Sequence, residues 1–429
     1  MRTLDEWLKL QESVHPRTID LGLERVASVA RVLGLDVPAF RVITVAGTNG
    51  KGSVAAHAEA LLRARGLRTG LFTSPHLLRY NERIRLAGEE VADAELIAAF
   101  ERIEAARGTT TLTFFEYNTL AALAIFTRRA VEVAVLEVGL GGRLDATNLL
   151  SADVAVLVSV GLDHRDWLGD SLESIGAEKA GIFRRGRPAV LGTADLPASV
   201  FATIDSLGAR ALLAGRDFTW EVWARAWSYR GGGLVLEGLS PSSLAGSIQY
   251  RNAATALAAV AALDGSAPLR GVLDARTVNA ALAGVRLPGR LQIVPGPVEW
   301  ILDIAHNEPA ARVLAAHLGE RSAARATATA AGRTFAVAGV LADKDAAGIA
   351  AALAPRIDHW IVCALPGARG GSAGELAWRL NLGTAHVTLA DSVVRGCELA
   401  RELSRPGDRV VVFGSFHTVG PALEWLGLY

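Results

Sequence analysis

The sequence predicts a two-domain α/β protein whose sheets are mostly parallel, and three observations carry that expectation. Short runs rich in Val, Ile and Leu alternate with segments of helical spacing along the chain. A glycine-rich turn, residues 46–53 (AGTNGKGS), joins an early strand to a helix. Strand–helix units resume after residues 287–294 (LPGRLQIV), where a Pro-Gly turn carries Arg290 into a new strand and marks a domain join. The expected domains are 1–286 and 287–429.

Bulk composition narrows the field. A length of 429 residues supplies two sizeable cores. Lys plus Arg and Asp plus Glu each number 44, so no net field recruits nucleic acid or an anionic membrane, and neither is expected as a partner. The hydrophobic share of 51%, much of it alanine, fits a folded α/β enzyme rather than a disordered or fibrous chain. Cys363 and Cys397 lie far apart without metal spacing, and Cys363 sits in an apolar run that reads as packing. The start, MRTLDEWLKLQE, is amphipathic and charged with no apolar signal core. No stretch reaches the roughly 18–20 apolar residues of a membrane span. A cytoplasmic protein is expected.

Taken in order, residues 1–40 read as two helices flanking HPRTIDLGLERV, with Asp20 and Gly22 in a spelling typical of a helix start. Residues 42–45 form a β-branched, buried strand. Gly47, Gly50 and Gly52 then break regular structure, and helical spacing begins at Ser53. Strand, glycine turn and helix make a phosphate cradle, because N–H groups at the helix start face an anion that glycines allow to approach. Lys51 would neutralise outer phosphates, and the hydroxyl of Thr48 or Ser53 can hold Mg²⁺. The common spelling G-x-x-x-x-G-K-[ST] does not match, since Val45 takes the first glycine position and Gly52 separates Lys51 from Ser53.

Residues 71–73 are a second strand, and Ser74-Pro75-His76 leaves the sheet at its carboxyl end, where open α/β sheets bind ligands. A plain turn has the same spelling. Residues 111–130 open with Phe114, Phe115 and Tyr117 and become an apolar helix; the aromatics suit either core or a pocket for a flat heterocycle. Glu116 among them needs a partner if buried. Residues 131–138 are a buried strand interrupted by Glu137, followed by a glycine loop carrying Arg143, Asp145 and Asn148. A carboxylate at that strand tip is where an acidic Mg²⁺ ligand is needed.

The strand in residues 154–160 delivers Asp163, His164 and Asp166 at its carboxyl end, and the next helix carries Lys179 in its last turn. Motif chemistry leaves Lys179 open between a favourable helix-end charge and a functional role. Residues 189–191 give another strand. Residues 213–250 read as a small β-rich excursion with a hairpin at Gly231, Gly232 and Gly233. An alanine-rich helix begins at Asn252, which either caps it or points its amide at a ligand. In the second domain EWILDIA, TFAVAGV, HWIVCALP and DRVVVFGSF read as strands, and residues 321–333 as an exposed low-complexity segment. Asp303 and His306 sit at a strand end, either as loop polar groups or facing a nucleotide.

These residues carry a family likeness. GTNGKGS resembles the ATP loop of the Mur ligase superfamily. The ordered set IDLGLERV, SPHLLRYNERI, LTFFEYNTLAAL, LEVGLGGRLDATN, LDHRDWLG, EKAGIF, NAATAL, LPGRLQIV, DIAHN and FGSFHTVG resembles bacterial bifunctional dihydrofolate synthase/folylpolyglutamate synthases nearly end to end. The resemblance implies a P-loop ATPase domain over 1–286 with a mostly parallel sheet, a Rossmann-like α/β ligase domain over 287–429, and ATP between them. It implies that Gly47, Thr48, Asn49, Gly50, Lys51, Gly52 and Ser53 cradle the phosphates, and that Asn252, Arg290, Asp303 and His306 complete the nucleotide site. Ser53, Ser74, Glu137 and His164 match positions tied to Mg²⁺, as one ion or two. Lys179 matches a lysine carbamylated in the family, and Lys51, Lys179, Asp303 and His306 form the implied catalytic set. The implied pterin pocket draws on Asp20, Leu21, Gly22, Thr113, Phe114, Phe115, Glu116, Leu144, Asp145 and Ala146. In DIAHNEPAA, Glu308 displaces the proline expected after Asn307, which puts that loop's shape in question.

The implied reaction is ATP-dependent addition of L-glutamate to 7,8-dihydropteroate and to reduced folates through an acyl phosphate, by a monomer. A Mur ligase acting on a UDP-linked precursor shares the loop, but the short stretch before it leaves little room for a UDP-sugar domain, and T-F-F-E suits a pterin. A nucleotide switch without ligase chemistry would leave Glu137, His164 and Lys179 without a use, and the guanine motif N-K-x-D is absent.

Overall fold

The structure, a computed structural model, describes residues 2–224, 226–266, 269–326, 332–367, 369–383 and 385–429. The chain divides into two compact units. One comprises Met1–Ser243 and Gln249–Arg286, the other Leu244–Ile248 and Leu287–Tyr429.

The first unit is built on eight strands: β1 (Arg41–Ala46), β2 (Thr69–Phe72), β3 (Ile84–Leu86), β4 (Glu89–Glu90), β5 (Val133–Glu137), β6 (Val154–Leu157), β7 (Pro188–Leu191) and β8 (Arg210–Leu213). Their order is β4-β3-β2-β5-β1-β6-β7-β8, with β3 and β4 antiparallel and the rest parallel. Strand β1 lies inside, between β5 and β6, so its Val and Ile side chains are buried on both faces, as a central parallel strand requires. The chain goes to one side of β1 for β2 and to the other for β6 to β8. The loop after β1 therefore leaves where the strand order reverses, and at such a point α/β sheets receive ligands.

Helices Leu4–Val14, Glu24–Leu33, Asp93–Arg107 and Phe114–Arg128 contribute Trp7, Val26, Phe100, Leu120 and Phe126 to a core on the side of β2 and β5. Helix Phe114–Arg128 is buried from Glu116 to Phe126, which explains its nearly unbroken apolar run. The tryptophan-rich excursion is a three-stranded antiparallel sheet, β9 (Phe218–Trp223), β10 (Ala226–Gly231) and β11 (Leu234–Leu239), whose second turn holds Gly232 and Gly233.

The second unit holds six strands: β12 (Gln292–Val294), β13 (Glu299–Asp303), β14 (Thr334–Ala338), β15 (His359–Cys363), β16 (His386–Ala390) and β17 (Arg409–Phe413). Their order is β12-β13-β17-β14-β15-β16, and β12 alone runs antiparallel to its neighbour. Cys363 and Cys397 are buried thiols in this unit, both pushed upward in pKa by burial.

Several sequence expectations are corrected. The cradle helix begins at Lys51, two residues before Ser53, so Lys51, Gly52 and Ser53 form its first turn. The alanine-rich helix spans Ile248–Ser266, which puts Asn252 inside it and removes the capping alternative. Asp20 caps no helix: Glu24–Leu33 starts after Leu23 with no side-chain cap. The low-complexity run is partly helical, since Glu308–Ala326 extends into it, and its residues 327–331 lie outside the described residues. Glu308 opens that helix, and Asn307 caps it by accepting the N–H of Ala310 at 3.0 Å.

Candidate active site

The loop after β1 is fixed by its neighbours. Thr48 N–H donates to Ser159 O at 2.9 Å, and Asn49 N–H to Ser159 Oγ at 3.1 Å. The Thr48 hydroxyl donates to Gly161 O at 3.1 Å and accepts from Gly161 N at 2.9 Å. Thr48 is thereby committed to holding the loop, which leaves Ser53, buried in the first helical turn, as the hydroxyl suited to Mg²⁺. Gly47 has φ +152°, and a Cβ there would lie 3.2 Å from Ser159 N and O. Gly50, at φ +86°, takes the left-handed position before the helix, and no side chain caps the N–H groups that follow. An uncapped helix start at the end of a parallel strand is an anion site.

Two lysines converge on the loop. Lys51 Nζ reaches Gly47 O at 3.1 Å and Thr48 O at 3.3 Å. Lys179, buried at the end of helix Leu172–Ala180, reaches the same Gly47 O at 3.2 Å. Burial first, and then the charge of Lys51, lower the Lys179 pKa to about 7. Lys51, Lys179, Asp163 and His164 line one pocket with Gly47 and Gly139. His164 is exposed and holds φ +54°, an uncommon backbone state for a non-glycine residue.

Glu137 is buried at the tip of β5, paired in register with Val45 of β1, and accepts the N–H of Ser74 at 3.1 Å. The sheet thus brings Glu137 and Ser74 together beside the cradle. Among the described residues no three His, Cys, Asp or Glu side chains cluster for a metal. The set Ser53, Ser74, Glu137 and His164 suits Mg²⁺ in another way, because that ion keeps several waters and phosphate oxygens and takes one or two carboxylates. A nucleotide fits as well. Asn252 donates to Gln249 Oε1 at 2.9 Å, while its own buried Oδ1 has no hydrogen-bond partner and lies 3.3 Å from where a Gly50 Cβ would stand.

The aromatic segment forms a second wall. Phe115 lies 5.7 Å from Phe72, and Phe114 lies 6.0 Å from Tyr80, ring centre to ring centre. The Arg83 guanidinium stands over Phe114 at 5.4 Å. A Cβ on Gly139 would come within 2.6 Å of the Phe115 ring, so the glycine lets the loop after β5 close onto the aromatics. Thr113 and Glu116 form a capping box on the helix. Glu116 finds its partner in Arg25, which also pairs with Asp20 at 2.8 Å and lies 3.2 Å from Glu116 Oε1. Leu21 and Gly22 stand half-buried beside this bridge. Asp145 accepts from Gly139 N, Leu140 N, Thr147 N and the Thr147 hydroxyl, so it shapes the loop that presents Leu144 and Ala146. Burial raises its pKa.

In the second unit, Asp303 ends β13 and accepts from Leu291 N and Ala305 N, each at 2.8 Å. Enclosure of its carboxyl raises its pKa although the residue as a whole is half-buried. Leu291 holds φ +45°, so the Asp303 bond fixes an unusual backbone state directly after Arg290. Arg290 stacks on Phe416 at 5.5 Å. His306 Nδ1–H donates to Ile304 O at 2.9 Å, which fixes the ring's orientation. Sequence reasoning missed Arg25, Ser159, Gly161 and Gln249. Only Arg25 left a signal, in the need of Glu116 for a cation.

The chain is similar to known proteins over nearly its whole length. Residues 45–260 match the Mur ligase middle domain, and residues 289–416 the Mur ligase glutamate ligase domain. The dihydrofolate synthase/folylpolyglutamate synthase of Escherichia coli K12 is 43% identical over 98% of this chain and 95% of its own. The structure of E. coli FolC with DHPP and ADP superposes with a TM-score of 0.92 at 41% identity, over 99% of this chain and 98% of that one. A bifunctional folylpolyglutamate synthase/dihydrofolate synthase with Mn, AMPPNP and L-glutamate bound gives a TM-score of 0.89 at 42% identity, over 100% and 99%.

Proposed function

The chain belongs to the dihydrofolate synthase/folylpolyglutamate synthase family of Mur ligases, and from that premise we propose what its own residues do. It is an ATP-dependent carboxylate–amine ligase that adds L-glutamate to 7,8-dihydropteroate and to the terminal glutamate of reduced folates. The observation that carries the residue assignment is the cradle of Gly47, Gly50 and Lys51, with Lys179 and Glu137 beside it and an aromatic wall behind Gly139.

Carboxylates are poor electrophiles, so the acceptor carboxylate attacks the γ-phosphorus of ATP and ADP leaves. The resulting acyl phosphate is attacked at carbon by the amine of L-glutamate. The amine loses a proton, phosphate departs, and an amide remains. Lys51 and the uncapped helix start oppose the phosphate charge as the two anions approach. Ser53, Ser74, Glu137 and His164 would hold Mg²⁺, which would supply the remaining charge neutralisation. Phe114 and Phe115 receive the flat pterin, with the Arg25 bridge between Asp20 and Glu116 fixing the segment around Gly22. Within the ligase domain, Arg290, Asp303 and His306 are the residues assigned to the nucleotide.

Lys179 carries a carbamate in the active protein. Its pKa of about 7 supplies neutral amine, the form that attacks CO₂, and releases a proton as the N–CO₂⁻ group forms. Among the described residues no carboxylate pairs with its ammonium, so an anionic group on Nζ reverses an unfavourable charge beside Lys51. The protein acts as a cytoplasmic monomer, with its domain join after Arg286, apart from Leu244–Ile248, which group with the second unit.

The test is phosphate release with Mg²⁺, ATP and L-glutamate, comparing 7,8-dihydropteroate with a reduced folate. Turnover with both is expected. Turnover with the folate alone restricts the activity to polyglutamylation. Silence with both, but activity on a UDP-muramyl acceptor, overturns the folate assignment.

A further inference from the structure

One buried group near the cradle has no place in the reaction described above. His57 lies on helix Lys51–Ala64, four residues after Ser53, and is fully buried. Its Nδ1 is 2.7 Å from Ser53 O and its Nε2 is 2.8 Å from Ser242 Oγ. A carbonyl only accepts, so Nδ1 carries the proton, and Nε2 accepts from the Ser242 hydroxyl. Both ring nitrogens are thus used, in one defined tautomer.

The far end of this relay is the place where the chain leaves the first unit. Ser243, next to Ser242, is the last residue before the segment Leu244–Ile248 of the second unit, and Arg286 is the last before Leu287. Ser243 ties the two exits together: its N–H donates to Leu282 O at 3.0 Å and its hydroxyl to Val285 O at 2.6 Å. An unbroken path of hydrogen bonds and short backbone links therefore runs from the Ser53 carbonyl through His57 and Ser242 to both exits.

We propose that His57 is a positioning residue for the phosphate cradle, holding the first turn of its helix, and with it the Ser53 hydroxyl, in register with the two chain exits through Ser242. The proposal rests on the placing of MgATP at residues 47–53. A helix start that binds phosphates through backbone N–H groups tolerates little tilt, and a relay anchored at the exits limits that tilt. Buried polar groups are hydrogen-bonded as a rule, so what distinguishes His57 is the reach of its second bond. Here the second bond spans 185 residues of sequence to the exit itself.

The experiment compares steady-state constants of wild type, His57→Leu, His57→Asn and Ser242→Ala. His57→Leu keeps the apolar volume and removes both bonds, while His57→Asn keeps an N–H near the position of Nδ1. His57→Leu and Ser242→Ala are each expected to raise KM for MgATP about fivefold to tenfold, the effect of losing the His57–Ser242 hydrogen bond that both variants lack, with kcat within about twofold. KM for L-glutamate and dihydropteroate stays unchanged. His57→Asn recovers part of the His57→Leu loss, and combining His57→Leu with Ser242→Ala adds little to either change alone. A lowered thermal midpoint with KM for MgATP unchanged overturns the proposal and leaves His57 a packing residue. So does a parallel rise in all three KM values. Absence of MgATP-dependent turnover in wild type would instead refute the ligase reading on which the proposal stands.

Discussion

Lys51 and Lys179 set their side-chain nitrogens on one carbonyl, Gly47 O, at 3.1 and 3.2 Å. Two cations cannot share that position comfortably, and Lys179 is the one that gives up its proton, with a pKa near 7 against 10.5 for a free lysine. Between those values the unfolded chain binds more protons than the fold, so this group's destabilising effect is complete below about pH 7 and fades as pH rises toward 10.5. Lys179→Met should therefore raise the thermal midpoint in CO₂-free buffer at pH 6, by the equivalent of about 1–4 kcal/mol, and the gain should shrink above neutrality. The same variant should lose about a hundredfold or more in kcat, because the proposed carbamate cannot form on methionine. Calorimetry across pH checks the first outcome. Steady-state phosphate release checks the second, and NMR of wild type and variant equilibrated with isotope-labelled bicarbonate checks its cause, through a carbamate signal in wild type alone.

Glu137 accepts the Ser74 N–H and is the carboxylate proposed to hold Mg²⁺. Glu137→Gln preserves an acceptor for that N–H and removes the charge. The fold should hold, with an unchanged thermal midpoint, while the Mg²⁺ concentration for half-maximal activity rises about tenfold to a hundredfold. A Mg²⁺ titration of phosphate release at saturating ATP decides it.

Arg25 joins Asp20 to Glu116, which lies 91 residues further along the sequence than Arg25. Arg25→Met keeps the stem and leaves two carboxylates without their shared cation. KM for dihydropteroate should rise about tenfold while KM for MgATP stays near wild type. Equal changes in both would place Arg25 in general stability and not in the pterin wall.

The parts of this site that were legible in the sequence are local. Residues 42–45 followed by three glycines and a lysine announce the cradle because strand, turn and helix start are all short-range properties. Asp303 and Glu137 stood out as charges ending apolar runs. What escaped was set by distant partners. Asp20 looked like a helix cap until Arg25 claimed it, and Asn252 looked like a helix start because residues 248–251 carry no strong helix signal. Strand β16 escaped because it is an edge strand with four of five residues exposed or half-exposed. The small hairpin of β3 and β4 escaped because its pairing with β2 is all that makes it a strand.

Asp303 also predicts a stability effect in the second unit. Asp303→Ala leaves the N–H groups of Leu291 and Ala305 without acceptors, and should destabilise that unit by about 1–3 kcal/mol. Leu291→Gly sets two effects against each other. Relief of φ +45° is worth about 1 kcal/mol, but the lost burial of a side chain only 3% exposed costs about 1.5–3 kcal/mol. Burial wins, so Leu291→Gly should also destabilise. Denaturant midpoints of the two variants measure both effects.

His57 gives a pH window of its own. Burial lowers its pKa from 6.5 to about 4, and neither of its hydrogen-bond partners is a carboxylate. Because the folded value lies below the unfolded one, the unfolded chain takes up the proton first as pH falls. The stability held by the neutral ring is complete above about pH 6.5 and is lost progressively toward pH 4, on the order of 3 kcal/mol in all. Burial also raises the pKa of other carboxyls, among them Asp145 and Asp303, so the total curve does not isolate it. The difference between wild type and His57→Gln does. Wild type should be the more stable above pH 6.5, and its advantage should diminish steadily below that. A difference independent of pH between 4 and 6.5 would mean that the folded ring takes up a proton as readily as a free histidine.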